Sequence, residues 1–380
     1  MNDNEILKKL KKLRSQDPNF SSSRVFSSVS TKPLEVALSA FNIFADTNAL
    51  DEHLFGTPKK LEDECISWMG NLLHNPSAKG YITTGGTEAN MFAFLVARGS
   101  KNTKNEIIIP ESAHYSFEKL TRMLNLKINY AATDKNFRAD VSDIKKKINE
   151  KTLAVVATAG TSALGMVDPA DKINELLNEF DQDIFFHVDA AFGGFVIPFL
   201  DDDKKMNMKY DFELANVSSI TIDPHKMGTA PIPSGAILLR DDKLLKELKI
   251  TPPYLPVETH TLLGTRSGGA IAATWATFKS IGIPGYKKIV KYCMENTEFL
   301  CRELKNRGFE LVTEPDLNFI GVKIKDITYG KKIVKKLESI GWKVSMNQKP
   351  VSLRLVVMPH INKNNILKFV DDFERIAKEI

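Results

Sequence analysis

One lysine follows a β-branched run in a way that suits covalent chemistry. The stretch Ser219-Ile-Thr-Ile ends abruptly in Asp223-Pro-His-Lys-Met-Gly228. A lysine amine held among apolar neighbours loses hydration and becomes a nucleophile that can form a Schiff base with a carbonyl group. Lys226 is therefore a candidate covalent anchor. The alternative is a strand-end lysine whose stem packs while its ammonium reaches water.

A carboxylate occurs near the end of a second apolar run, Asp183-Ile-Phe-Phe-His-Val-Asp-Ala-Ala-Phe-Gly-Gly194. Asp189 would need a cationic partner to stay charged in such surroundings. The ring nitrogen of pyridoxal phosphate is a suitable partner, because an acid at that nitrogen keeps the ring protonated as an electron sink. The interval between Asp189 and Lys226 leaves room for a helix or loop between adjacent strands, so both side chains can belong to one site.

Two other interpretations of these runs stay open at this point. Asp189 could cap a helix or a turn. Alternatively, His187 with Asp189 and Asp223 with His225 each place two metal-ligand types on one face of a strand. The metal interpretation leaves Lys226 without a role.

A glycine turn between a strand and a helix predicts an anion site. The stretch Tyr81-Ile-Thr-Thr-Gly-Gly-Thr-Glu-Ala-Asn90 precedes the apolar Met91-Phe-Ala-Phe-Leu-Val-Ala-Arg98. Gly85 and Gly86 let the backbone approach a phosphate closely, Thr87 adds a hydroxyl, and the helix start offers N–H groups. The loop matches neither the dinucleotide nor the Walker pattern. An ordinary helix start, with Glu88 favouring the dipole, is the alternative.

Taken together, the three motifs resemble the pyridoxal-phosphate-dependent group II amino-acid decarboxylases, and most closely the archaeal L-tyrosine/L-aspartate decarboxylases. The similarity continues through Leu263-Gly-Thr-Arg-Ser-Gly-Gly269 and Leu353-Arg-Leu-Val-Val-Met-Pro-His360. Sphingosine-phosphate-type lyases share much of the pattern. The resemblance implies an α/β protein of pyridoxal-phosphate fold type I, similar to aspartate aminotransferase, whose mostly parallel sheet is covered by helices, with a smaller C-terminal α/β domain.

The resemblance also implies roles for further residues around pyridoxal phosphate. His114 would stack on the cofactor ring, Ala191 would let the opposite face lie close to its strand, and Thr158 or Thr161 would contact the ring hydroxyl or substrate. His225 would lie near the phosphate, whereas Asp223 departs from the Asn or Ser of relatives. Thr265 would reach the phosphate of a neighbouring subunit, which implies a homodimer with active sites at the subunit interface.

Two residues are candidates for handling the substrate. Tyr254, on a proline-framed segment, is similar in placement to the mobile-loop tyrosine that protonates the carbanion in aromatic-amino-acid decarboxylases. A surface tyrosine in a turn is the alternative. Arg354, an arginine inside a short apolar strand, could bind a carboxylate bidentately or form a structural salt bridge.

Composition limits the classes of partner. The 380 residues carry a net charge of +5, which is too small to argue for nucleic acid. Three cysteines, Cys65, Cys293 and Cys301, have neither zinc spacing nor a paired framework, which favours a reducing compartment such as the cytoplasm. No long apolar segment predicts a membrane span.

Apolar strands and amphipathic helices alternate along the chain, which predicts βαβ units and a mostly parallel sheet. Strands are expected near residues 80–84, 106–109, 127–131, 153–158, 184–189, 218–223 and 235–239. The C-terminal part predicts strands 318–324 and 352–358 with helices 286–306, 330–340 and 364–378. We divide the chain into a helical arm (1–48), a cofactor-binding domain (49–282) and a small domain (283–380). Sites in such sheets lie at the carboxyl ends of the strands.

The leading hypothesis is therefore decarboxylation of L-tyrosine to tyramine, of L-aspartate to β-alanine, or of both. By resemblance, these are steps of methanofuran or coenzyme A biosynthesis. Arg24, Arg266 and His260 are candidate readers of the substrate side chain. A carbon–carbon lyase of the sphingosine-phosphate-lyase type is the alternative within the same cofactor class, and a metal-binding protein or metallohydrolase is the alternative from another class.

Overall fold

The computed structural model describes residues 2–99, 103–253 and 258–380. The chain divides into two compact units. The larger unit is Pro33–Lys291, and the smaller unit combines Met1–Lys32 with Tyr292–Ile380. The three domains predicted from the sequence, with boundaries at residues 48 and 282, stay a prediction.

The described residues form ten strands: β1 (Lys79–Thr83), β2 (Glu106–Pro110), β3 (Lys127–Ala131), β4 (Thr152–Thr158), β5 (Phe185–Asp189), β6 (Val217–Ile222), β7 (Gly235–Leu239), β8 (Phe319–Lys323), β9 (Ser345–Gln348) and β10 (Val351–Val356). Seven of them make one sheet in the order β1-β7-β6-β5-β4-β2-β3. β7 runs antiparallel to both of its neighbours, and the other adjacent strands are parallel. The mostly parallel sheet is thus confirmed.

The same residues form eleven α-helices: α1 (Asp3–Arg14), α2 (Glu35–Ile43), α3 (Gly56–Leu72), α4 (Gly86–Arg98), α5 (Ser116–Leu124), α6 (Val141–Lys147), α7 (Ala170–Leu177), α8 (Asp202–Lys205), α9 (Gly268–Asn306), α10 (Ile327–Ser339) and α11 (Lys363–Glu379). Short 3-10 helices cover Phe20–Ser22, Gly193–Phe195, Ile197–Phe199 and Asp242–Leu248. Within the described part of the chain, no helix is long and apolar enough to cross a membrane.

Burial explains how the large sheet is held. Every residue of β2, β4, β5 and β7 is buried, as expected for strands that are covered on both faces. On one face, α4 and α5 pack onto the strands through an apolar cluster that includes Phe92, Phe117 and Val156. The amino end of α4 is therefore anchored where the parallel strands end.

The smaller unit has its own sheet and core. Its strands are antiparallel in the order β8-β10-β9. Trp342, Phe369 and Leu353 lie in its apolar cluster. Phe26 joins this cluster from the N-terminal segment, and its backbone N–H donates to the Lys343 carbonyl at 2.7 Å. This contact accounts for the grouping of residues 1–32 with the C-terminal part.

Candidate active site

Lys226 lies in the turn after β6, and it faces a buried carboxylate. Its Nζ is 3.0 Å from Asp223 Oδ2, and its backbone N–H donates to the Asp223 carbonyl at 3.0 Å. The Lys226 side chain remains 19% exposed, whereas that of Asp223 is 2% exposed. The backbone of Lys226 is thus fixed by a hydrogen bond, while its side chain remains partly accessible.

His225 is held by the opposite side of the same turn. Its Nδ1 donates to the Ser234 carbonyl at 2.5 Å, and its backbone N–H donates to the same oxygen at 3.0 Å. The other ring nitrogen, Nε2, lies 3.8 Å from Asp223 Oδ2. The imidazole is therefore oriented by Ser234 with Nε2 directed toward the cluster of Asp223 and Lys226.

The glycine turn meets these residues at the amino end of α4. A Cβ added to Gly86 would lie 2.9 Å from Asp223 Oδ2 and 3.3 Å from Ala191 Cβ. A Cβ added to Gly85 would lie 3.3 Å from His225 Cε1. The missing side chains let the helix start approach the ends of β5 and β6, and the N–H groups of a helix start suit an anion such as phosphate. Thr87 follows as the second residue of α4.

The carboxylate of Asp223 retains an unused acceptor in this cradle. Its Oδ1 is buried and accepts no hydrogen bond within the described part of the chain. A buried charged oxygen without a donor is costly, so a bound group that supplies a proton or a positive charge would stabilise it. The cradle thus contains a small backbone opening beside a carboxylate that pairs with Lys226 through Oδ2 and leaves Oδ1 unused.

Asp189 ends β5 and is 4% exposed. It accepts hydrogen bonds from Asn90 Nδ2 at 3.0 Å and from the Ala191 backbone N–H at 3.1 Å. Both donors are neutral, and no described lysine, arginine or histidine forms an ion pair with it. A buried carboxylate in this state lacks a cation. The protonated nitrogen of a pyridoxal ring fits that requirement, and so the residues present fit pyridoxal phosphate.

Thr158 and Thr161 differ in what their hydroxyl groups do. Thr158 is paired in register with Asp189 on the neighbouring strand, and its buried Oγ1 has no hydrogen-bond partner among the described residues. Thr161 Oγ1 instead accepts from the Met166 backbone N–H at 3.0 Å, inside a turn. Thr158 therefore retains a hydroxyl that a ligand could use, whereas the Thr161 hydroxyl is already engaged.

His114 lies just before α5, and its neighbours restrict its protonation. The Ser116 backbone N–H donates to His114 Nδ1 at 3.3 Å, so this nitrogen is an acceptor. Burial lowers the pKa of His114, although the charge of Asp189 opposes the shift. The ring is neutral near pH 7 and has a flat apolar face, which suits stacking against an aromatic group.

Sequence reasoning assigned no role to Asn90, although it belongs to the glycine-turn motif. The structure buries it beside Asp189 and His187. The sequence did contain one indication of its location. Asn90 lies one helical turn beyond Gly86, and that spacing puts both residues on one face of α4. The polar partners of Asn90 come from distant parts of the chain and are not visible in the motif.

The metal interpretation loses His187 as a ligand in this arrangement. His187 Nδ1 contacts Ser219 Oγ at 2.8 Å and its Nε2 contacts Asn90 Oδ1 at 3.1 Å, so both ring nitrogens are engaged. Burial also lowers the pKa of His187 to about 4. Among the described residues, the group with metal-ligand spacing is His74, Asp211 and Glu213 instead.

The surroundings of the other predicted residues differ from one to the next. Thr265 is exposed in the segment before α9. Arg266 is buried in an ion pair with Glu62. Its guanidinium is therefore already occupied, which disfavours a role in reading the substrate. Arg24 and Arg354 belong to the smaller unit, and His260 packs edge-on against Tyr81. Tyr254 lies outside the described residues.

Arg354 is held on β10 by several contacts. Its Nη1 donates to the Ser27 carbonyl at 3.2 Å, and its guanidinium lies 5.0 Å from the centre of the Phe319 ring. Burial lowers the pKa of Arg354 to about 10, so it stays positively charged at neutral pH.

Similar proteins agree with the chemistry of the site. Residues 45–325 match the conserved domain of the pyridoxal-dependent decarboxylases. A protein of Methanocella arvoryzae named "Probable L-tyrosine/L-aspartate decarboxylase" is 43% identical over 99% of this chain and 98% of its own. A protein of Archaeoglobus fulgidus named "Probable L-aspartate decarboxylase" is 39% identical over 98% of this chain and 100% of its own.

Solved structures agree on the fold. The sphingosine-1-phosphate lyase of Burkholderia pseudomallei has a TM-score of 0.90 at 22% identity, and it covers all of this chain and 91% of its own. The glutamate decarboxylase of Lactobacillus brevis has a TM-score of 0.89 at 22% identity, with 100% and 93% coverage. These likenesses confirm pyridoxal-phosphate fold type I but do not separate lyase from decarboxylase.

The relatives of higher identity distinguish a decarboxylase from a lyase. The archaeal proteins that span the whole chain are named as decarboxylases, as is the matched conserved domain, and the resemblance identified from the motifs is confirmed. The chain therefore belongs to the pyridoxal-dependent decarboxylases, enzymes that use pyridoxal phosphate to remove the carboxyl group of an amino acid.

Proposed function

We propose that this chain decarboxylates L-tyrosine, L-aspartate or both, giving tyramine or β-alanine. The full-length relatives carry these two substrates in their names. The observation that carries the chemistry is Asp189, which is buried, hydrogen-bonded to neutral donors, and located on the strand beside the one that leads to Lys226. A site with a cation-requiring carboxylate next to an accessible lysine suits pyridoxal phosphate.

Each residue of the cradle has a role in this proposal. Lys226 would hold the aldehyde carbon of the cofactor, and Asp189 would hold its ring nitrogen. The start of α4 at Gly85, Gly86 and Thr87 would bind the phosphate, with His225 Nε2 on the same side. Ala191 would leave room for the ring, because its side chain is only a methyl group.

The residues around the ring would govern the reaction. Pyridoxal phosphate, when bound, supplies an electron sink for the pair of electrons left when the carboxyl group departs as carbon dioxide. Asp189 would hold the proton on the ring nitrogen, and His114 would cover one face and exclude water. We assign the ring hydroxyl to Thr158 rather than Thr161, because the Thr158 hydroxyl is unused in the described structure.

Delivery of the proton to the substrate carbon completes the reaction. Tyr254 is proposed as the donor, as the resemblance implies, and it lies outside the described residues. Arg354 is proposed to bind the substrate carboxylate, because its planar cation matches a carboxylate bidentately. Such binding positions the substrate without promoting bond cleavage, since it stabilises ground state and transition state alike.

We also propose that the enzyme works as a homodimer in the cytoplasm. Thr265 is exposed, which leaves it available to a second subunit. Cys65, Cys293 and Cys301 are all buried and free, which suits a reducing compartment.

The test of this function combines cofactor chemistry with substrate choice. The purified protein is loaded with pyridoxal phosphate, reduced with borohydride, and digested to find the modified lysine by mass spectrometry. Loaded enzyme is then incubated separately with L-tyrosine, L-aspartate and L-glutamate, and carbon dioxide and amine are measured. We expect modification of Lys226 and carbon dioxide from tyrosine, aspartate or both.

Two variants make the test decisive. Lys226→Ala should lose the visible cofactor band and the activity, whereas Lys172→Ala, at an exposed lysine on α7, should keep both. Carbon dioxide from glutamate alone would overturn the substrate assignment and leave the cofactor assignment intact. A cofactor attached at another lysine would overturn the role of Lys226.

A further inference from the structure

Asn90 connects four elements beneath the candidate active site. It lies on α4, is 1% exposed, and contacts side chains from α5, β5 and β6. Its Nδ2 contacts Asp189 Oδ2 at 3.0 Å and Ser116 Oγ at 3.0 Å. Its Oδ1 contacts Thr221 Oγ1 at 2.6 Å and His187 Nε2 at 3.1 Å. The carboxamide thus uses both of its hydrogens and both acceptor positions.

The chemistry of the partners assigns the direction of each bond. An ionised carboxylate can only accept, so the NH₂ group of Asn90 must face Asp189. Oδ1 then accepts from the Thr221 hydroxyl and from His187 Nε2–H. His187 Nδ1 in turn accepts from the Ser219 hydroxyl at 2.8 Å. The whole cluster is consistent with an ionised Asp189 and a neutral His187.

The hydrogen bond from Asn90 to Ser116 links Asn90 to His114, the residue proposed to stack on the cofactor ring. Ser116 Oγ accepts from Asn90, and the Ser116 backbone N–H donates to His114 Nδ1 at 3.3 Å. Ser116 is fully buried, so its hydroxyl has little freedom to turn to water. Asn90 therefore contacts Asp189 directly and contacts His114 through a single residue.

We propose that Asn90 is a positioning residue for the decarboxylation, because its two amide hydrogens hold Asp189 against the cofactor ring nitrogen and hold Ser116, and through it His114, over the ring. The inference rests on the proposed roles of Asp189 and His114. Asn90 does not touch the reacting atoms, so its effect passes through these two residues.

Substitution of Asn90 should weaken the negative charge of Asp189. Asn90→Asp keeps the shape but places a second carboxyl group against Asp189, and like charges at this distance favour protonation of one of them. Asn90→Ala removes the donor and leaves Asp189 with the Ala191 N–H. In both variants the ring nitrogen loses part of the charge that keeps it protonated.

The primary measurement is the pH dependence of the visible absorption of bound pyridoxal phosphate. A positive ring nitrogen lowers the proton affinity of groups conjugated with the ring, so its loss should move the absorption midpoint to higher pH. We expect an upward shift in Asn90→Asp, together with a fall in kcat of about 10- to 100-fold, because a hydrogen bond to a charged group is lost. KM for the amino acid should change little.

The same variants in an Asp189→Asn background separate this inference from the proposed function. If Asn90 acts through Asp189, Asn90→Asp should shift the midpoint far less in that background. Full turnover by Asp189→Asn alone would overturn the role of Asp189 itself. If Asp189→Asn loses turnover but Asn90→Asp leaves the absorption midpoint unshifted, the inference is overturned and the proposed function stands.

A buried asparagine in the smaller unit provides the stability control. Asn296 is also 1% exposed, and its Nδ2 donates to the Ile361 carbonyl at 3.0 Å. Asn296→Ala should lower the melting temperature as Asn90→Ala does, without moving the absorption midpoint. An equal midpoint shift in both variants would show a general structural effect and would refute a positioning role.

Discussion

Thr158 and Thr161 lie three residues apart in sequence, and their hydroxyl groups are in opposite states. The Thr161 hydroxyl closes a turn by accepting from the Met166 N–H, which is itself buried. The Thr158 hydroxyl is buried beside Asp189 with no partner in the described part of the chain. A buried hydroxyl without a partner is destabilising unless a ligand satisfies it.

We therefore expect Thr158→Val and Thr161→Val to fail in different ways. Thr158→Val should fold with a stability change within about 1 kcal/mol, because no hydrogen bond inside the protein is lost, while pyridoxal phosphate binds more weakly. Thr161→Val should destabilise the fold by about 1–3 kcal/mol, because the Met166 N–H is left unsatisfied.

Denaturant unfolding of the cofactor-free proteins and a cofactor titration distinguish these outcomes. Wild-type protein measured in parallel provides the reference for both. Weaker cofactor binding in Thr161→Val with unchanged binding in Thr158→Val would reverse the assignment of the ring hydroxyl.

At the level of single residues, the sequence identified side chains that have an unusual local pattern. Lys226 and Asp189 stand at the ends of apolar runs, and a charged group in that position is recognisable without a structure. Asn90, Ser116 and Thr221 have no such pattern, because their importance comes from contacts between distant segments. The choice between Thr158 and Thr161 likewise required the hydrogen bond of Met166.

At the level of elements, the start of α4 is the part that the site depends on most. Gly86 is its first residue, and the carboxylate of Asp223 lies where a side chain would extend. Glu88, from the first turn, accepts from the Thr84 N–H at 2.7 Å and from the Thr84 hydroxyl at 2.8 Å. The helix start is thus pinned on one side and open on the other.

A methyl group at Gly86 should close this opening. Gly86→Ala would bring a Cβ to 2.9 Å from Asp223 Oδ2, so either the turn or the carboxylate must move. We expect cofactor affinity to fall about 10-fold or more, since overpacking of this kind costs 1–3 kcal/mol. Titration of cofactor-free protein with pyridoxal phosphate measures the effect.

Gly56 provides a matched control for that substitution. It is the first residue of α3, and a Cβ added there would meet nothing within 4 Å. Gly56→Ala should leave cofactor affinity unchanged. Equal affinities for Gly86→Ala and the wild-type protein would contradict the proposed phosphate cradle.

Elements with a clear period were predicted well, and those without one were missed. The predicted helix 364–378 and strand 184–189 agree with α11 and β5 to within one residue at each end. The first half of α9 was not predicted, because Gly268–Phe278 is buried almost all round and so lacks an amphipathic pattern. β9 was missed because Ser345–Gln348 is short and polar.

At the level of the whole molecule, the proposed homodimer can be tested by mixing variants. If Thr265 completes the site of the partner subunit, each site combines Lys226 of one subunit with Thr265 of the other, so Lys226→Ala and Thr265→Val fall in the same site of a mixed dimer. One of its two sites is then native. We expect equal amounts of the two variants, refolded together, to recover about a quarter of wild-type activity, because half of the dimers are mixed.

The two variants refolded separately serve as the baseline for the mixed sample. Activity of the mixture equal to the mean of the separate samples would contradict a shared site. In the control, Lys172→Ala replaces Thr265→Val in the mixture. The activity of that mixture should equal the mean of its two separate samples, because only the Lys172→Ala subunits carry an intact Lys226.

The strand order has a consequence for folding during synthesis on the ribosome. β1 pairs with β7, so Thr83, just before the glycine turn, lies opposite Gly235, and Gly85 packs against that same glycine. Nearly two-thirds of the chain must be synthesised before this pairing can form, and such distant pairings form late and slowly. The proposed phosphate cradle, although encoded early, is therefore expected to be among the last parts of the large sheet to be completed.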